Sequence, residues 1–334
     1  FAHAAVWSSV GALVLVNRLV TVPYEWLAAA VSGMAAFYLT GGYWLGREQT
    51  GFLDERLQND YRWAAGIAGF SLLAAGILAG VLVLAVELWA GVAALVLGAL
   101  VLVWSSYLFR QPLLMLAGTG LLILPFTLAA NQVLAEMALV QPDAWLMASW
   151  AGLALIYLAL AVAGRRAERY VCWFNLWAHI LAPVAVAGLV ANYGLTRTEW
   201  SAIPSVVALG GVMLVYVASA VIHDSGRFPA LSSYVTWLPG GFGRNIFLWP
   251  VGLLLPVWLG LIWFDRALDR YWLGATIAAL GLAYVGLGQL LGRRAAAYRL
   301  PPHVYAYALA VAGIALAYGG GWALVTALCL SLIH

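Results

Sequence analysis

The sequence predicts an all-α protein, a polytopic transmembrane helical bundle of about 11–12 helices built from tandem two-helix hairpins. Of its 334 residues, 65% are apolar and only 9% are charged, whereas about a quarter are charged in soluble domains. The mean hydropathy is +0.95. Apolar stretches of about 20 residues, the length that crosses a bilayer, recur along the chain. These observations exclude a soluble globular domain, a disordered chain and a small disulfide scaffold.

Each long apolar stretch is interpreted as a helix, because backbone polar groups in lipid must be hydrogen-bonded within the segment. A twelfth stretch over 322–334 is too short to cross, so we expect a single transmembrane domain over 1–334 that is an excerpt of a longer chain. The eleven predicted crossing helices run over 1–20, 26–46, 63–86, 88–109, 112–134, 144–164, 171–194, 202–222, 245–264, 271–292 and 303–320.

Tryptophan opens the second helix of every predicted pair: Trp26, Trp89, Trp145, Trp200, Trp272 and Trp322. In three of these helices the tryptophan is followed by Leu-x-Ala, by a tyrosine twelve residues later and by a Gly-Arg end. This fixed spacing predicts hairpin repeats of about 50–70 residues. The alternative is that tryptophan and arginine are only interfacial anchors. The predicted repeats cover approximately 1–47, 63–110, 112–166, 171–223, 245–294 and 303–334.

Arginine is unevenly distributed between the two ends of the predicted helices. The connections that follow each second helix hold twelve of the sixteen arginines, including Arg47, Arg165, Arg166, Arg293 and Arg294. The positive-inside rule places these connections in the cytoplasm. We therefore expect a multi-pass protein of the cell (inner) membrane. Alanine- and leucine-rich helices that end in Gly-Arg-Arg resemble, in composition, those of multi-pass bacterial membrane proteins.

The composition also argues against several kinds of chemistry. The chain has no lysine, which excludes lysine Schiff bases and phosphate-loop lysines. Its net charge of +3 indicates no nucleic-acid partner. Five scattered histidines and two distant cysteines form no metal-ligand spacing. We therefore assign no catalytic residue and no metal site, and we expect no cofactor unless His179 binds one.

Asn175 and His179 form the densest polar stripe inside a predicted helix, with Pro183 four residues further on. Residues four apart share one face of a helix. One interpretation makes His179 a cofactor-binding residue, an axial ligand of haem or chlorophyll, or a contact to a polar substrate. The other, which we favour, is a neutral histidine bonded to a neighbouring helix above a proline kink.

Glycines and prolines mark the remaining candidate positions. Gly42 and Gly46 are four residues apart, as are Gly288 and Gly292, and the two pairs occupy equivalent places in their repeats. Small-xxx-small spacing predicts close helix packing. Pro125, Pro250 and Pro256 lie inside predicted helices. We interpret them as tolerated kinks rather than as broken helices that line a substrate cavity.

Four classes of function are compatible with this pattern. No acidic residue or arginine lies near the middle of a predicted helix, and such charges normally mark ion pathways and proton relays. We therefore favour a structural or scaffold role, as a membrane domain or subunit of a larger complex, with the lipid bilayer and other membrane subunits as partners. The alternative is a transporter or flippase for an apolar or lipid-linked substrate. A haem- or pigment-binding subunit and a lipid-substrate enzyme are the less favoured alternatives.

Overall fold

The computed structural model is helical almost throughout. It describes residues 7–8, 11–12, 15, 23–47, 55–139, 141–164, 168–196, 202–224, 246–265, 269–293 and 296–332. Over these residues the chain is 92% helical, with 11 helices and no strands. The predicted class, a polytopic helical bundle, is confirmed.

The described helices follow one another along the chain without intervening strands. We number them α1 (Leu27–Arg47), α2 (Glu55–Val83), α3 (Leu88–Phe109), α4 (Pro112–Leu121 and Ile123–Glu136), α5 (Pro142–Ala163), α6 (Glu168–Thr196), α7 (Ala202–Asp224), α8 (Leu248–Asp265), α9 (Arg270–Gly292), α10 (Leu300–Ala317) and α11 (Trp322–Leu332).

Eight of the described helices are long and apolar enough to cross a membrane, which makes this an integral membrane protein. They are α2 to α7, α9 and α10. The apolar parts of α8 and α11, Leu248–Trp263 and Trp322–Leu332, are shorter. The predicted helix over 1–20 lies largely outside the described residues. The five of its residues that are described are all helical.

The first compact unit covers Phe1–Met137. Within it, α1 packs against both α2 and α3, α2 packs against α3, and α4 packs against α3. Its core joins Leu39 of α1, Leu72 and Leu73 of α2, and Val101 of α3. The Trp104 indole N–H donates to the Thr40 hydroxyl at 3.1 Å and links α3 to α1.

The second compact unit covers Ala138–His334. Within it, α5 packs against α6 and α7, and α6 packs against α7. Likewise, α9 packs against α10 and α11, and α10 packs against α11. Helix α8 contacts α7 on one side and α9 and α10 on the other. We call α1–α3, α5–α7 and α9–α11 the first, second and third triplets, since each is three helices in mutual contact.

Two helix boundaries differ from the prediction for identifiable reasons. The seven charges of the stretch 47–62 predict a hydrated loop. Helix α2 nevertheless begins at Glu55, because Glu, Arg, Leu and Gln are good helix formers. Helix α10 runs over Leu300–Ala317 rather than 303–320. Prolines fit its first turn, and Gly319 and Gly321 have φ of +92° and +53°, which ends the helix before α11.

The predicted irregularity at Pro125 is visible as an interruption of α4 at Leu122. Proline has no N–H, so Pro125 leaves the carbonyl of Leu121 without its helical donor. The backbone at Leu122 stays in the right-handed helical region, with φ −62° and ψ −24°. The helical path therefore continues through the interruption, and Pro112–Glu136 is one membrane-length element.

Candidate functional site

The polar stripe predicted on α6 is partly buried and incompletely hydrogen-bonded. Asn175 is 7% exposed. Its side-chain oxygen Oδ1 is buried and has no hydrogen-bond partner among the described residues, and the same is true of Nε2 of His179. Buried polar atoms are paired in the large majority of cases. Two such atoms one helical turn apart therefore form the leading candidate site in the described part of the chain.

The backbone fixes the protonation state of the imidazole. Nδ1 of His179 lies 2.7 Å from the carbonyl oxygen of Asn175. A carbonyl only accepts, so Nδ1 carries the proton and donates it. In the neutral ring Nε2 is then a bare acceptor. Asn175 Oδ1 is an acceptor as well, and the Asn175 amide nitrogen is a donor, so the stripe offers two unpaired acceptor atoms beside one amide donor group.

Pro183 adds a third acceptor to the same turn. It lies inside α6 and has no N–H to donate to the carbonyl of His179, four residues before it. The backbone oxygen of His179 therefore loses its regular helical partner. Proline, histidine and asparagine at four-residue spacing place these acceptors along one side of the helix.

Two aromatic rings lie beside the imidazole. The Phe247 ring centroid is 4.9 Å from that of His179, with the planes tilted by 46°. The Tyr216 ring is 6.3 Å away and meets it edge-on. Tyr216 belongs to α7 and Phe247 directly precedes α8. Three parts of the second unit thus contribute side chains to this site, which we call the α6 polar site.

The predicted glycine faces lie at close helix contacts where the structure describes them. A Cβ on Gly42 would lie 2.9 Å from that of Ala65 in α2, and one on Gly288 would lie 2.5 Å from Nδ1 of His303 in α10. Gly292 lies against the side chain of Arg299. For Gly46 only the backbone, inside α1, is described. Gly42 and Gly288 therefore face the next helix of their own triplet.

The predicted interfacial residues lie at helix ends. Trp26, Trp89, Trp272 and Trp322 are exposed and Trp145 is half-buried. Arg293 is exposed next to the end of α9, and Arg47 is the last residue of α1. Trp200, Arg165, Arg166 and Arg294 lie outside the described residues. Their roles as anchors and topology markers remain predictions.

The proline of α8 creates an acceptor that a tyrosine of α9 fills. Pro256 leaves the carbonyl of Gly252 without its helical donor. The Tyr284 hydroxyl donates to that carbonyl at 3.2 Å in a buried contact. The Tyr305 hydroxyl of α10 donates to the carbonyl of Trp249 at 2.9 Å. Tyrosine hydroxyls of α9 and α10 therefore hydrogen-bond two carbonyls of the irregular helix α8. This agrees with the interpretation of Pro256 as a tolerated kink.

The structure singles out a motif position that the sequence did not indicate. We call Trp26, Trp145 and Trp272, which are followed by Leu-x-Ala, the motif tryptophans, and α1, α5 and α9 the motif helices. Six residues after these tryptophans stand Ser32, Ala151 and Ala278, all at most 1% exposed. Each meets a glycine of a partner helix. The Tyr284–Gly252 contact was also unforeseen. Proline spacing could have identified Gly252 as a free acceptor, but no sequence pattern names the tyrosine that reaches it.

Comparisons with family models, with curated proteins and with solved structures give no match for this chain. In the described residues no group of three or more histidine, cysteine or acidic side chains is placed to hold a metal ion.

Proposed function

We propose that this chain is a membrane scaffold: a helical repeat domain that organises other subunits in the bilayer. In this proposal the repeating unit is larger than the hairpin. It comprises one triplet and, after the first two triplets, a linking helix, α4 or α8. The motif helices α1, α5 and α9 then recur every fourth helix, with their tryptophans 119 and 127 residues apart.

The observation that carries the proposal is that the same position of the motif helix contacts a glycine in all three triplets, on the second helix of the first and third triplets and on the third helix of the second. Backbone atoms of Ser32 lie 3.0 and 3.2 Å from a Cβ placed on Gly76 of α2. A Cβ on Gly211 of α7 would lie 3.0 Å from that of Ala151, and one on Gly313 of α10 would lie 2.9 Å from that of Ala278. Membrane helices associate through small residues because close backbone approach maximises van der Waals contact.

Such junctions suit a rigid framework better than a moving one. In the first triplet, the Ser32 hydroxyl also lies 3.5 Å from the carbonyl of Ala94, which links α1 to α3. In the second unit α8 contacts the second and third triplets together. Within the second unit, α8 thus joins the second repeat to the third. An array of this kind presents an extended lateral surface, on which repeat proteins bind their partners.

The test is gentle purification of the full chain from its native membrane, followed by native mass spectrometry. The scaffold proposal predicts a complex that contains this chain and other membrane subunits in fixed stoichiometry. Alanine-to-leucine substitution at position 151 is expected to dissociate the complex by disrupting the junction, whereas the same change at exposed Ala159 of α5 leaves it intact. Recovery of the chain alone, with lipid only, contradicts the proposal.

A transporter or flippase for an apolar or lipid-linked substrate is the second candidate. The interruption of α4 at Leu122 and the unpaired acceptors of α6 favour it, since irregular helices line the substrate sites of transporters. Reconstituted vesicles test it directly. A fluorescent lipid-linked substrate that moves between leaflets only when this chain is present supports transport. A transfer rate no higher than that of protein-free vesicles contradicts the transport proposal.

The proposed orientation in the cell membrane gives a labelling prediction. Replacing Cys329, the exposed cysteine, by serine removes the accessible thiol. New cysteines are then introduced at exposed Arg293 and exposed Asp143. Because arginine-rich connections stay in the cytoplasm, we expect a membrane-impermeant maleimide to label position 143 from outside intact cells and position 293 only after lysis. The reverse pattern refutes the orientation.

A further inference from the structure

We propose that the corner between α9 and α10 binds the phosphate group of an anionic phospholipid through the guanidinium groups of Arg293 and Arg299. Arg293 directly follows the end of α9, and Arg299 directly precedes α10. We call these two residues, together with Gly292, the α9–α10 corner. A lipid site here goes beyond the scaffold role, which rests on the contacts between the motif helices and glycines of their partner helices.

Helix packing brings the two arginines together. A Cβ placed on Gly292 would lie 2.6 Å from Nε and 2.8 Å from Cδ of Arg299, so the Arg299 side chain fills the space beside this glycine. Arg293 is the next residue after Gly292, and its Cα is about 3.8 Å from that of the glycine. Both arginines are exposed. Two positively charged side chains therefore share one exposed corner of the second unit.

The position of Arg299 is electrostatically unfavourable for the protein alone. Arg299 is the N-cap of α10 and makes no side-chain capping hydrogen bond. The N-terminus of a helix carries a partial positive charge, which favours anions and disfavours cations. Arg293 is well placed by the same rule, because it follows the C-terminus of α9, but two neighbouring guanidinium groups repel each other. An anion bound between them offsets both unfavourable interactions.

This part of the chain offers no carboxylate to neutralise the corner. The segment 270–334 contains four arginines and no aspartate or glutamate. Helices α8 and α11 pack against α9 and α10, and the one acidic residue in their sequences is Asp265, the last residue of α8. Asp265 precedes the start of α9 by five residues, so the length of α9 separates it from the corner, roughly 30 Å at 1.5 Å per residue.

The other connections that hold several arginines differ in this respect. Each of them also contains at least one acidic residue, such as Glu48, Glu168 or Asp224. In those connections an arginine has a carboxylate nearby in the sequence with which it can pair. The connection between α9 and α10 has none, so its neutralising anion comes from outside this part of the protein.

The packing of a triplet does not require an arginine at position 299. In each triplet, the residue sixteen positions after the motif tryptophan packs against the next helix, in the pairs Gly42/Ala65, Ala161/Phe174 and Gly288/His303. Four residues before the second member of each pair stand Tyr61, Tyr170 and Arg299. The first two triplets thus have tyrosine where the third has a charge, which points to a role for Arg299 other than packing.

The depth and chemistry of the corner select a lipid phosphate. The apolar spans end at Gly292 in α9 and begin at Leu300 in α10, so Arg293 and Arg299 each lie one residue outside them. Residues at this boundary meet the lipid headgroups. The planar guanidinium fork binds phosphate through paired hydrogen bonds. The first turn of α10 contains Pro301 and Pro302, which have no N–H, so side chains rather than backbone amides bind the anion.

The test titrates lipid onto the purified full chain, delipidated in a neutral detergent, and counts bound lipids by native mass spectrometry. Phosphatidylglycerol has a net negative charge. Phosphatidylcholine has the same phosphate diester, but its choline cation makes it neutral. We expect the first phosphatidylglycerol to bind at least about tenfold more tightly than the first phosphatidylcholine. Equal affinities, tighter binding of phosphatidylcholine, or no binding of either lipid overturns the proposal.

Three variants locate the binding. Arg293→Gln and Arg299→Gln each remove one guanidinium group, and each is expected to weaken binding of the first phosphatidylglycerol about tenfold. Arg110→Gln is the matched control, because Arg110 is exposed and lies one residue past the apolar span Leu88–Phe109, as Arg293 does past Gly292. Unchanged binding in either corner variant, or an equal loss in the control, overturns the proposal.

Inorganic phosphate distinguishes a lipid headgroup from a free anion. Phosphatidylglycerol is expected to raise the Tm of the delipidated chain, since a ligand that binds only the folded state stabilises it. Inorganic phosphate at the same concentration is expected to leave the Tm unchanged, because it lacks the acyl chains that hold a lipid beside the apolar helices. An equal rise with inorganic phosphate assigns the corner to a free anion and overturns the lipid as its ligand.

The stability of the lipid-free protein separates a binding role of Arg299 from a structural one. Glutamine keeps Cγ and Cδ, so Arg299→Gln retains most of the contact with Gly292 while it removes the charge at the N-terminus of α10. We therefore expect this variant, without lipid, to have a Tm equal to or higher than that of the wild type. A lower Tm means that the guanidinium group stabilises the fold itself, which contradicts the proposal.

Discussion

Replacing Gly274 by alanine is expected to lower the free energy of unfolding by about 1–3 kcal/mol, the cost of overpacking a close contact. A Cβ at this position would lie 2.5 Å from both the backbone nitrogen of Ala317 and the backbone oxygen of Gly313. Backbone atoms cannot rotate away as a flexible side chain does. Helices α9 and α10 must therefore separate to admit one methyl group. Thermal or SDS-induced unfolding in detergent micelles measures the loss.

Gly286→Ala is the matched control for this prediction. Gly286 lies in the same helix, but a Cβ there would meet nothing within 4 Å. Alanine favours the helical conformation over glycine by up to about 1 kcal/mol, so this variant is expected to be as stable as the wild type or slightly more stable. Equal stability of the two variants would show that α9 and α10 do not approach as closely as described.

Tyr284→Phe is expected to destabilise the protein by about 1–3 kcal/mol, the cost of leaving a buried acceptor unpaired. The Tyr284 hydroxyl donates to the carbonyl of Gly252 at 3.2 Å, and Pro256 has removed the N–H that would otherwise bond there. Tyr318→Phe, directly after the end of α10, is the control, because Tyr318 is 78% exposed and its hydroxyl can be solvated at the helix end. The same unfolding assay measures both.

A double variant tests the cause of this loss. Pro256→Ala restores an N–H that donates to Gly252 within α8. In that background the Gly252 carbonyl already has a donor within α8. Tyr284→Phe is therefore expected to lower the free energy of unfolding by less than it does alone. The coupling between the two sites is read from the double-mutant cycle. Strict additivity of the two substitutions would contradict the role assigned to the tyrosine.

Hydropathy and proline spacing predicted most of the fold, because the bilayer permits few alternatives to helices. The positions of α3 and α7 follow the apolar stretches to within about two residues, the usual uncertainty of helix ends. The extension of α2 to Glu55 was missed because polar residues in water form helix as well as loop. The triplets were also missed, since packing partners depend on small residues such as Ser32 and Ala151, which are common throughout this chain.

The candidate site was predicted in part. Asn175 and His179 stand out in the sequence because polar residues are rare within an apolar helix. Their lack of partners, and the rings of Tyr216 and Phe247 beside them, depend on helices that are distant in the sequence. The favoured expectation of a histidine bonded to a neighbouring helix also differs from the structure, in which Nδ1 bonds within α6 and Nε2 has no partner among the described residues.

Cysteine cross-linking in native membranes tests the triplets most directly, in a chain whose own Cys172 and Cys329 are replaced by alanine. The cysteine pairs are placed at Gly42/Ala65, Ala151/Gly211 and Ala278/Gly313, where the Cβ atoms would be 2.9, 3.0 and 2.9 Å apart. Such proximity allows a disulfide after small adjustment. The account predicts that all three pairs cross-link under mild oxidation, whereas Gly41/Gly66, on faces where a Cβ meets nothing within 4 Å, does not. Cross-linking of the control pair, or failure of any of the three close pairs, would contradict the helix contacts that define the triplets.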